Sequence, residues 1–362
     1  MRVLICGGGT AGHINPAIAV ADEIKKQDNS STVLFIGRDG GKENKLIFKA
    51  GYEMKTIKMQ GLKRSLSLKN IKSISYAISA IPKAKEIIKN FNPDVVFGTG
   101  GYLCWPVIVA AKRMGIKTFL HESNTSPGLT TKLLSKKVNL MLLNSEKTAG
   151  YLSKKTRYKV VGNPIRSDFF KIDRESARSK LGLQENDIFI LSFGGSIGSD
   201  KINKTIIEVM QKYSSKDDKI KHLHGCGERY YESIKNDNNL RRLNGCKIVP
   251  YIDDIPTMMH ASDIVISRSG AMTISEICYV GVASILIPSP NVSDNHQYKN
   301  AISLKNRGAA IIIEEKDLTF TVLKNRLAKL KSAKFDRKNV AKNAGRLFVN
   351  NSASLIVSEF KR

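Results

Sequence analysis

The sequence predicts an α/β protein made of two Rossmann-like, doubly wound parallel-sheet domains. Three observations carry that expectation. The chain has 362 residues, more than one hydrophobic core usually organises. Short β-branched apolar runs alternate with longer helical patterns, as in sheets whose strands are joined by helical crossovers. The alternation also resets at the turn Gly162-Asn163-Pro164, the best candidate linker. Strands of the first domain are expected at residues 3–6, 33–36, 95–97, 118–120 and 140–143. Those of the second are expected at 188–193, 247–249, 264–266, 284–287 and 310–313. The domains are accordingly drawn at 1–162 and 163–344. The stretch from Lys334 onward is helical in character with no strand after it, and its last part, 345–362, is expected to pack back on the first domain.

Composition removes several alternatives. Apolar residues make up 41% and charged residues 25%, which suits a globular chain in water. No apolar run approaches the roughly 18 to 20 residues that span a bilayer; the best, 102–111, contains a proline. The apolar stretch after Met1-Arg2 is too short for a secretory signal, so a cytoplasmic protein is expected. Five cysteines lie far apart without metal-ligand spacing and read as reduced structural thiols. The formal net charge of +27 points to an anionic partner, whether phosphorylated ligand, acidic membrane or nucleic acid, or to a lysine-rich solvated surface. No mixture of glycine, aromatics and arginine of the nucleic-acid-binding kind stands out, and no nucleic-acid partner is expected.

Three glycine-rich segments follow strands and precede helices. Gly7-Gly8-Gly9-Thr10-Ala11-Gly12-His13 comes first. Glycines let a backbone approach a phosphate, and the next helix offers unpaired N–H groups and the positive end of its dipole. Its G-x-G-x-x-G spacing also occurs in dinucleotide oxidoreductases, and Arg38 after the second strand could serve a 2′-phosphate. That reading leaves the second domain's loops unexplained. Those are Gly194-Gly195-Ser196-Ile197-Gly198-Ser199 and Ser267-Arg268-Ser269-Gly270-Ala271. At the latter, amides at a helix start suit a diphosphate and Arg268 can neutralise it. Glu276, farther along, can accept the hydroxyls of a ribose; standing alone it would read as a surface glutamate on a capped helix.

The segments GGGTAGHINPAIA, FGTGGY, HESN, GNPIR, FGGSIGS, YIDDI, SRSGAMTISE and DNHQYKNA, in this order and spacing, resemble the MurG family of peptidoglycan N-acetylglucosaminyltransferases over residues 1–310. The resemblance implies a GT-B fold, two such domains facing a cleft, with the first domain toward acceptor and membrane and the second binding the UDP-sugar. It implies an inverting transfer of N-acetylglucosamine from UDP-N-acetylglucosamine to the lipid-linked N-acetylmuramoyl-pentapeptide lipid I, giving lipid II, with no cofactor and no metal. A peripheral site on the cytoplasmic face of the membrane, against its anionic surface, is implied too. Donor contacts are implied at Thr10, Ala11, Gly12, Asn124, Arg166, Ser196, Ile252, Ala271, Met272, Thr273, Ile274, Ser275, Glu276 and Gln297. In that mapping the Ile252 backbone pairs with uracil, Glu276 holds the ribose and Gln297 reads the sugar hydroxyls.

Some positions depart from the family's commonest pattern: Ala11 for a frequent glycine, Ile197 and Ser199 for Gln and Ala, and the bulky Cys104-Trp105 after Gly-Gly-Tyr. Ala11 is tolerable where φ stays negative, and Trp105 is read as core. Two expectations remain open in the residues. His13 can be the base that takes the acceptor proton, an anion-holding residue, or a cap on its own loop. The stretch 62–89 mixes Lys63, Arg64, Lys69, Lys72, Lys83, Lys85 and Lys89 with isoleucines and leucines, and reads as a membrane anchor or as an amphipathic helix lying on its own sheet.

Overall fold

The computed structural model describes all residues except 42–43, 62–68, 196, 238–239, 241–242 and 333. Two compact units make up the chain: Met1–Ser167 with Val349–Arg362, and Asp168–Phe348. Residues 163–167 stay with the first unit. Asn163 Nδ2 donates to the Ser123 carbonyl at 3.2 Å, Ile165 is buried, and Ser167 Oγ donates to Asp22 Oδ2 at 3.3 Å. The division therefore falls after Ser167, beyond the turn that the sequence offers as linker.

The first unit is a parallel sheet of seven described strands: β1 (Arg2–Cys6), β2 (Thr32–Arg38), β3 (Glu53–Ile57), β4 (Val95–Gly98), β5 (Lys117–Glu122), β6 (Leu140–Leu143) and β7 (Tyr158–Val160). Its order is β3-β2-β1-β4-β5-β6-β7. Helices α1 (Ala11–Gln27), α2 (Asn44–Lys49), α3 (Lys69–Phe91), α4 (Cys104–Arg113), α5 (Leu129–Leu134) and α6 (Glu146–Ala149) connect the strands. Alternate side chains of each strand enter opposite faces. Val3, Ile5 and Val33 pack under α1, while Leu4, Cys6 and Ile36 pack under α3 and α4.

The second unit has six described strands: β8 (Ile188–Phe193), β9 (Ile220–Gly225), β10 (Cys246–Val249), β11 (Ile264–Ser267), β12 (Ala283–Leu286) and β13 (Ile311–Ile312). They run parallel in the order β10-β9-β8-β11-β12-β13. Its helices are α7 (Arg174–Lys180), α8 (Asp200–Lys212), α9 (Glu228–Ile234), α10 (Ile255–Ala261), α11 (Ala271–Val280), α12 (His296–Lys305), α13 (Phe320–Ser332) and α14 (Lys334–Gly345). One core lies between the sheet and α8 and α13, built on Ile190, Ile206, Val209, Ile266, Leu323 and Leu327. The last helix, α15 (Ser352–Phe360), belongs to the first unit and packs on α1. It buries Ile356, Val357 and Phe360, the last ring lying 5.3 Å from Phe97 and 5.0 Å from Phe119.

Ten strands coincide with apolar runs in the sequence, and β3, β7 and β9 do not. The first two are edge strands with mostly exposed or half-buried side chains, so no apolar run marks them. The third is central, yet its sequence is Ile-Lys-His-Leu-His-Gly. Trp105 is half-buried against the first unit's core. The five cysteines are free thiols. Among the described residues no helix is long and apolar enough to cross a membrane.

Candidate functional site

In each sheet the order reverses at one point, between β1 and β4 in the first and between β8 and β11 in the second. Loops leaving two such neighbouring strands diverge to opposite faces and open a crevice beyond their carboxyl ends. The glycine-rich segments lie at these two points.

In the first unit the loop after β1 leads into α1, and the loop after β4, Thr99 to Leu103, lies over it. Gly101 makes this approach possible: its φ is +83°, and a Cβ there would come within 2.4 Å of the Gly8 carbonyl oxygen. His13 joins the two loops. Its Nδ1 lies 2.9 Å from the Thr99 carbonyl, and the Thr99 hydroxyl donates to the His13 carbonyl at 2.7 Å. A carbonyl can only accept, so Nδ1 carries a proton and Nε2 is the basic nitrogen of the neutral ring. Thr10 precedes α1 in extended conformation, and its side chain does not cap the helix. The first amides of α1 have no intrahelical acceptor, so Thr10, Ala11 and Gly12 sit where an anion would be held. Ala11 opens the helix and is not among the residues of positive φ.

Asn124 lies beyond the end of β5, and a residue that the sequence did not single out positions it. The buried Glu122 carboxylate accepts from Asn124 N and Nδ2, both at 3.0 Å, and from Gly128 N at 3.3 Å. Thr148 Oγ1 donates to the Asn124 carbonyl at 3.2 Å. Neighbouring His121 is structural: its Nε2 donates to the Gly162 carbonyl at 2.9 Å, and burial pushes its pKa down. Arg166 is half-buried in the segment that follows Gly162.

In the second unit, α11 begins after Gly270, an extended residue that supplies no side-chain cap. Its first amides thus face outward at the reversal point, and residues 271–276 form its first turns. Glu276 is buried on this helix at 7% exposure, an uncommon place for a carboxylate without a task. The buried Ser269 donates to the Gln297 carbonyl at 2.9 Å, and Gln297 Oε1 accepts from Ser289 N at 2.9 Å. Ile252 packs on Gly225 at the end of β9, where a Cβ would come within 2.9 Å of Ile252 Cδ1. The Arg268 side chain, expected to neutralise a diphosphate, has partners within the unit. Its guanidinium donates to Ser199 Oγ at 2.7 Å and to the carbonyls of Ile287 and Pro288 at 3.2 Å each, and it pairs with Glu315. It ties the loop after β8 to the loop after β11, so it acts as a strut between them. Ser196 lies outside the described residues.

Two family models match the chain: the glycosyltransferase family 28 N-terminal domain over residues 3–142 and the family 28 C-terminal domain over residues 189–356. The chain belongs to glycosyltransferase family 28. Curated relatives match it over most or all of its length. One, from Acetivibrio thermocellus, is 39% identical over 361 residues, covering 100% of this chain and 98% of its own. Another, from a Thermoanaerobacter species, is 43% identical over 322 residues, covering 88% of each. Both are named UDP-N-acetylglucosamine--N-acetylmuramyl-(pentapeptide) pyrophosphoryl-undecaprenol N-acetylglucosamine transferase. Among solved structures, Acinetobacter baumannii MurG superposes with a TM-score of 0.76 at 24% identity, covering 99% of both chains, and thus shares the GT-B fold. A Neisseria meningitidis UDP-GlcNAc 2-epimerase bound to UDP-GlcNAc has the same architecture, with a TM-score of 0.72 at 15% identity over 100% of both chains. Membership of family 28 removes the dinucleotide-oxidoreductase alternative for the first glycine loop.

Within this family 28 chain, the site residues form two local groups. Thr10, Ala11, Gly12 and His13 gather at the start of α1, with Asn124 and Arg166 elsewhere in the same unit. Arg268, residues 271–276 and Gln297 are linked in the second unit through Ser269 and Ser289, and Ile252 stands at the end of a neighbouring strand. Sequence reading missed Glu122, because nothing in the HESN segment distinguishes the residue that meets a ligand from the one that holds it.

Proposed function

We propose that the chain transfers N-acetylglucosamine from UDP-N-acetylglucosamine to lipid I, undecaprenyl-pyrophosphoryl-N-acetylmuramoyl-pentapeptide, to make lipid II. The transfer inverts the anomeric centre, uses no metal, and takes place at the cytoplasmic face of a membrane to which the protein binds peripherally. The observation that carries this reading is the 39% identity, over the whole chain, to a transferase of that name.

The residues supply each part of the chemistry. The acceptor hydroxyl gives its proton to His13 Nε2 while its oxygen bonds to the anomeric carbon. The bond from that carbon to the diphosphate breaks on the opposite face, and its electron pair leaves with UDP. Negative charge grows on the leaving oxygen, and the start of α11, equivalent to roughly half a positive charge, stabilises it. That fixed dipole takes the part that a metal plays in other transferases. Glu276 holds the ribose and the Ile252 backbone the uracil. The Oε1 of Gln297 is engaged by Ser289 N, which leaves its amide hydrogens to read the sugar hydroxyls. Asn124, set by Glu122, Arg166, and the amides from Thr10 to Gly12 complete the donor contacts.

Peripheral binding is supported by α5, which exposes Leu129 and Leu133 one turn apart. Lys132 stands between them and Lys136 and Lys137 follow, all three exposed. Apolar side chains enter the acyl boundary while lysines meet anionic headgroups. The decisive assay supplies UDP-N-acetylglucosamine and lipid I with excess chelator. Lipid II and UDP should form in equal amounts, with the new linkage opposite in configuration to the donor's. A requirement for added divalent metal would overturn the metal-free mechanism, and retention of configuration would overturn the single displacement.

A further inference from the structure

The second unit contains a buried polar chain that the transfer chemistry above does not use. Ser214, His222, Ser192, His224 and Asn203 are each at most 3% exposed. They run in line through the unit: Ser214 Oγ to His222 Nδ1 at 3.1 Å, His222 Nε2 to Ser192 Oγ at 2.9 Å, and Ser192 Oγ to His224 Nδ1 at 2.9 Å. The line continues from His224 Nε2 to Asn203 Oδ1 at 3.1 Å and ends from Asn203 Nδ2 to the Cys226 carbonyl at 2.9 Å.

The end of the line fixes the direction of every bond in it. A carbonyl only accepts, so Asn203 turns its amide N–H to Cys226 and its oxygen to His224. That oxygen also only accepts, so His224 carries its proton on Nε2 and takes one on Nδ1. The Ser192 carbonyl also lies 3.1 Å from Nδ1 but has no proton to give, so the Ser192 hydroxyl is the donor, its proton directed to His224 Nδ1 at 2.9 Å in preference to the Leu223 carbonyl at 3.4 Å. Ser192 Oγ in turn accepts from His222 Nε2–H, and His222 Nδ1 accepts from Ser214. Each histidine must be neutral with one proton. Burial enforces this, holding the pKa of His222 near 3, helped by His224, and that of His224 near 4.

What the line terminates on gives it a purpose. Gly198, at φ +77°, lies so close to Cys226 that a Cβ would come within 2.1 Å of the Cys226 carbonyl oxygen. On the other side Gly227, at φ +91°, presses on Ile197, where a Cβ would come within 2.7 Å of its carbonyl oxygen. Backbone rests on backbone here, with no side chain between to absorb a shift. Any movement of the Cys226 carbonyl passes directly to the glycine loop after β8.

We propose that Ser214, His222, Ser192, His224 and Asn203 form a one-way hydrogen-bond relay that holds the Cys226 carbonyl, and through it the Ile197–Gly198 backbone, in the position that grips the donor's diphosphate. They are positioning residues, and the proposal rests on the UDP-sugar reading above. It separates diphosphate binding from nucleoside binding, which uses Glu276 and Ile252.

The test compares UDP with uridine on the full chain by ligand-observed NMR titration. In the parent, UDP must bind; if it does not, the UDP-sugar reading fails, and the relay with it, before any variant is made. His224→Phe and Ser192→Ala should each weaken UDP about tenfold, the equilibrium worth of a good hydrogen bond, and leave uridine unchanged. A parallel loss of both ligands, or no loss of either, in a folded variant would show that the network only fills the core and would overturn the proposal. Should the variants not fold, the parent still decides it. Long-range proton–nitrogen correlation should find both His222 and His224 protonated on Nε2, and an Nδ1–H on either breaks the direction of the relay.

Discussion

His13 is held twice, by its ring and by its own carbonyl, and both bonds go to Thr99. A residue that only neutralised an anion would need no defined tautomer, whereas a base needs its free lone pair aimed. His13→Ala and His13→Gln should therefore lower kcat by about 10² to 10⁴-fold, the usual loss for a general base, with acceptor KM within a few-fold of the parent. Steady-state kinetics with both substrates varied measures this. If kcat holds and only acceptor KM rises, His13 is an anion-holding residue and the proton leaves by another route. Such roles were half legible in the sequence. A histidine among glycines at a helix start declares itself, but the tautomer depends on a carbonyl 86 residues away. Arg268 shows the converse, since an arginine beside a phosphate loop invites a direct role, and its four partners inside the unit are invisible in the sequence.

Among the elements, the described part of α3 lies on its own sheet, one of the two readings that the sequence leaves open for 62–89. The amphipathic stretch ending in α3 buries Ala80, Ile81, Ala84, Ile87 and Ile88 against the first sheet, and of its described isoleucines Ile78 is exposed. Residues 62–68 lie outside the described residues. The short α5 had no periodicity to announce it, yet Leu129 and Leu133 face solvent beside lysines while Leu134 is buried. Reversing charge at Lys132, Lys136 and Lys137 together should weaken binding to anionic vesicles by about 100-fold or more, at about 1 kcal/mol per basic residue. Co-sedimentation checks this, and undiminished binding would place the contact elsewhere. The strands teach a related lesson. Apolar runs revealed the central strands wherever both faces were oily, while β9 escaped because two of its inward side chains are histidines. Hydrophobic patterning cannot see a core that is filled by satisfied polar groups.

At the scale of the molecule, the buried histidines set the response to acid. His222, His224 and His260 in the second unit and His121 in the first all have pKa values lowered by burial. An unfolded histidine binds its proton near pH 6.5, whereas the folded His224 and His222 resist until about 4 and 3. The unfolded state therefore holds more protons in that interval. Stability is whole above about pH 6.5 and falls below it, by up to about 1.4 kcal/mol per pH unit for each such group. The carboxylates whose pKa values are lowered, Asp28, Asp173, Asp217 and Asp254, contribute their losses only under still more acid conditions, below their ordinary value of 3.8. Three of the four histidines lie in the second unit, so it should open first on acidification. Trp105, the single tryptophan, lies in the first unit and reports that unit alone. Far-UV circular dichroism should fall at a higher pH than Trp105 fluorescence shifts, and coincident transitions would refute the order.

The chain path gives α15 one more consequence, in the time order of synthesis. Residues 168–348 form one unbroken unit that can close as soon as its own last helix has left the ribosome. The first unit cannot. Its strands are translated earliest, but Phe97 and Phe119 must wait for Phe360, and the groove beside α1 for Ile356 and Val357. The half of the molecule that is made first is thus the half that is finished last, and for most of translation its sheet presents an uncovered aromatic face of the kind that nascent-chain chaperones bind.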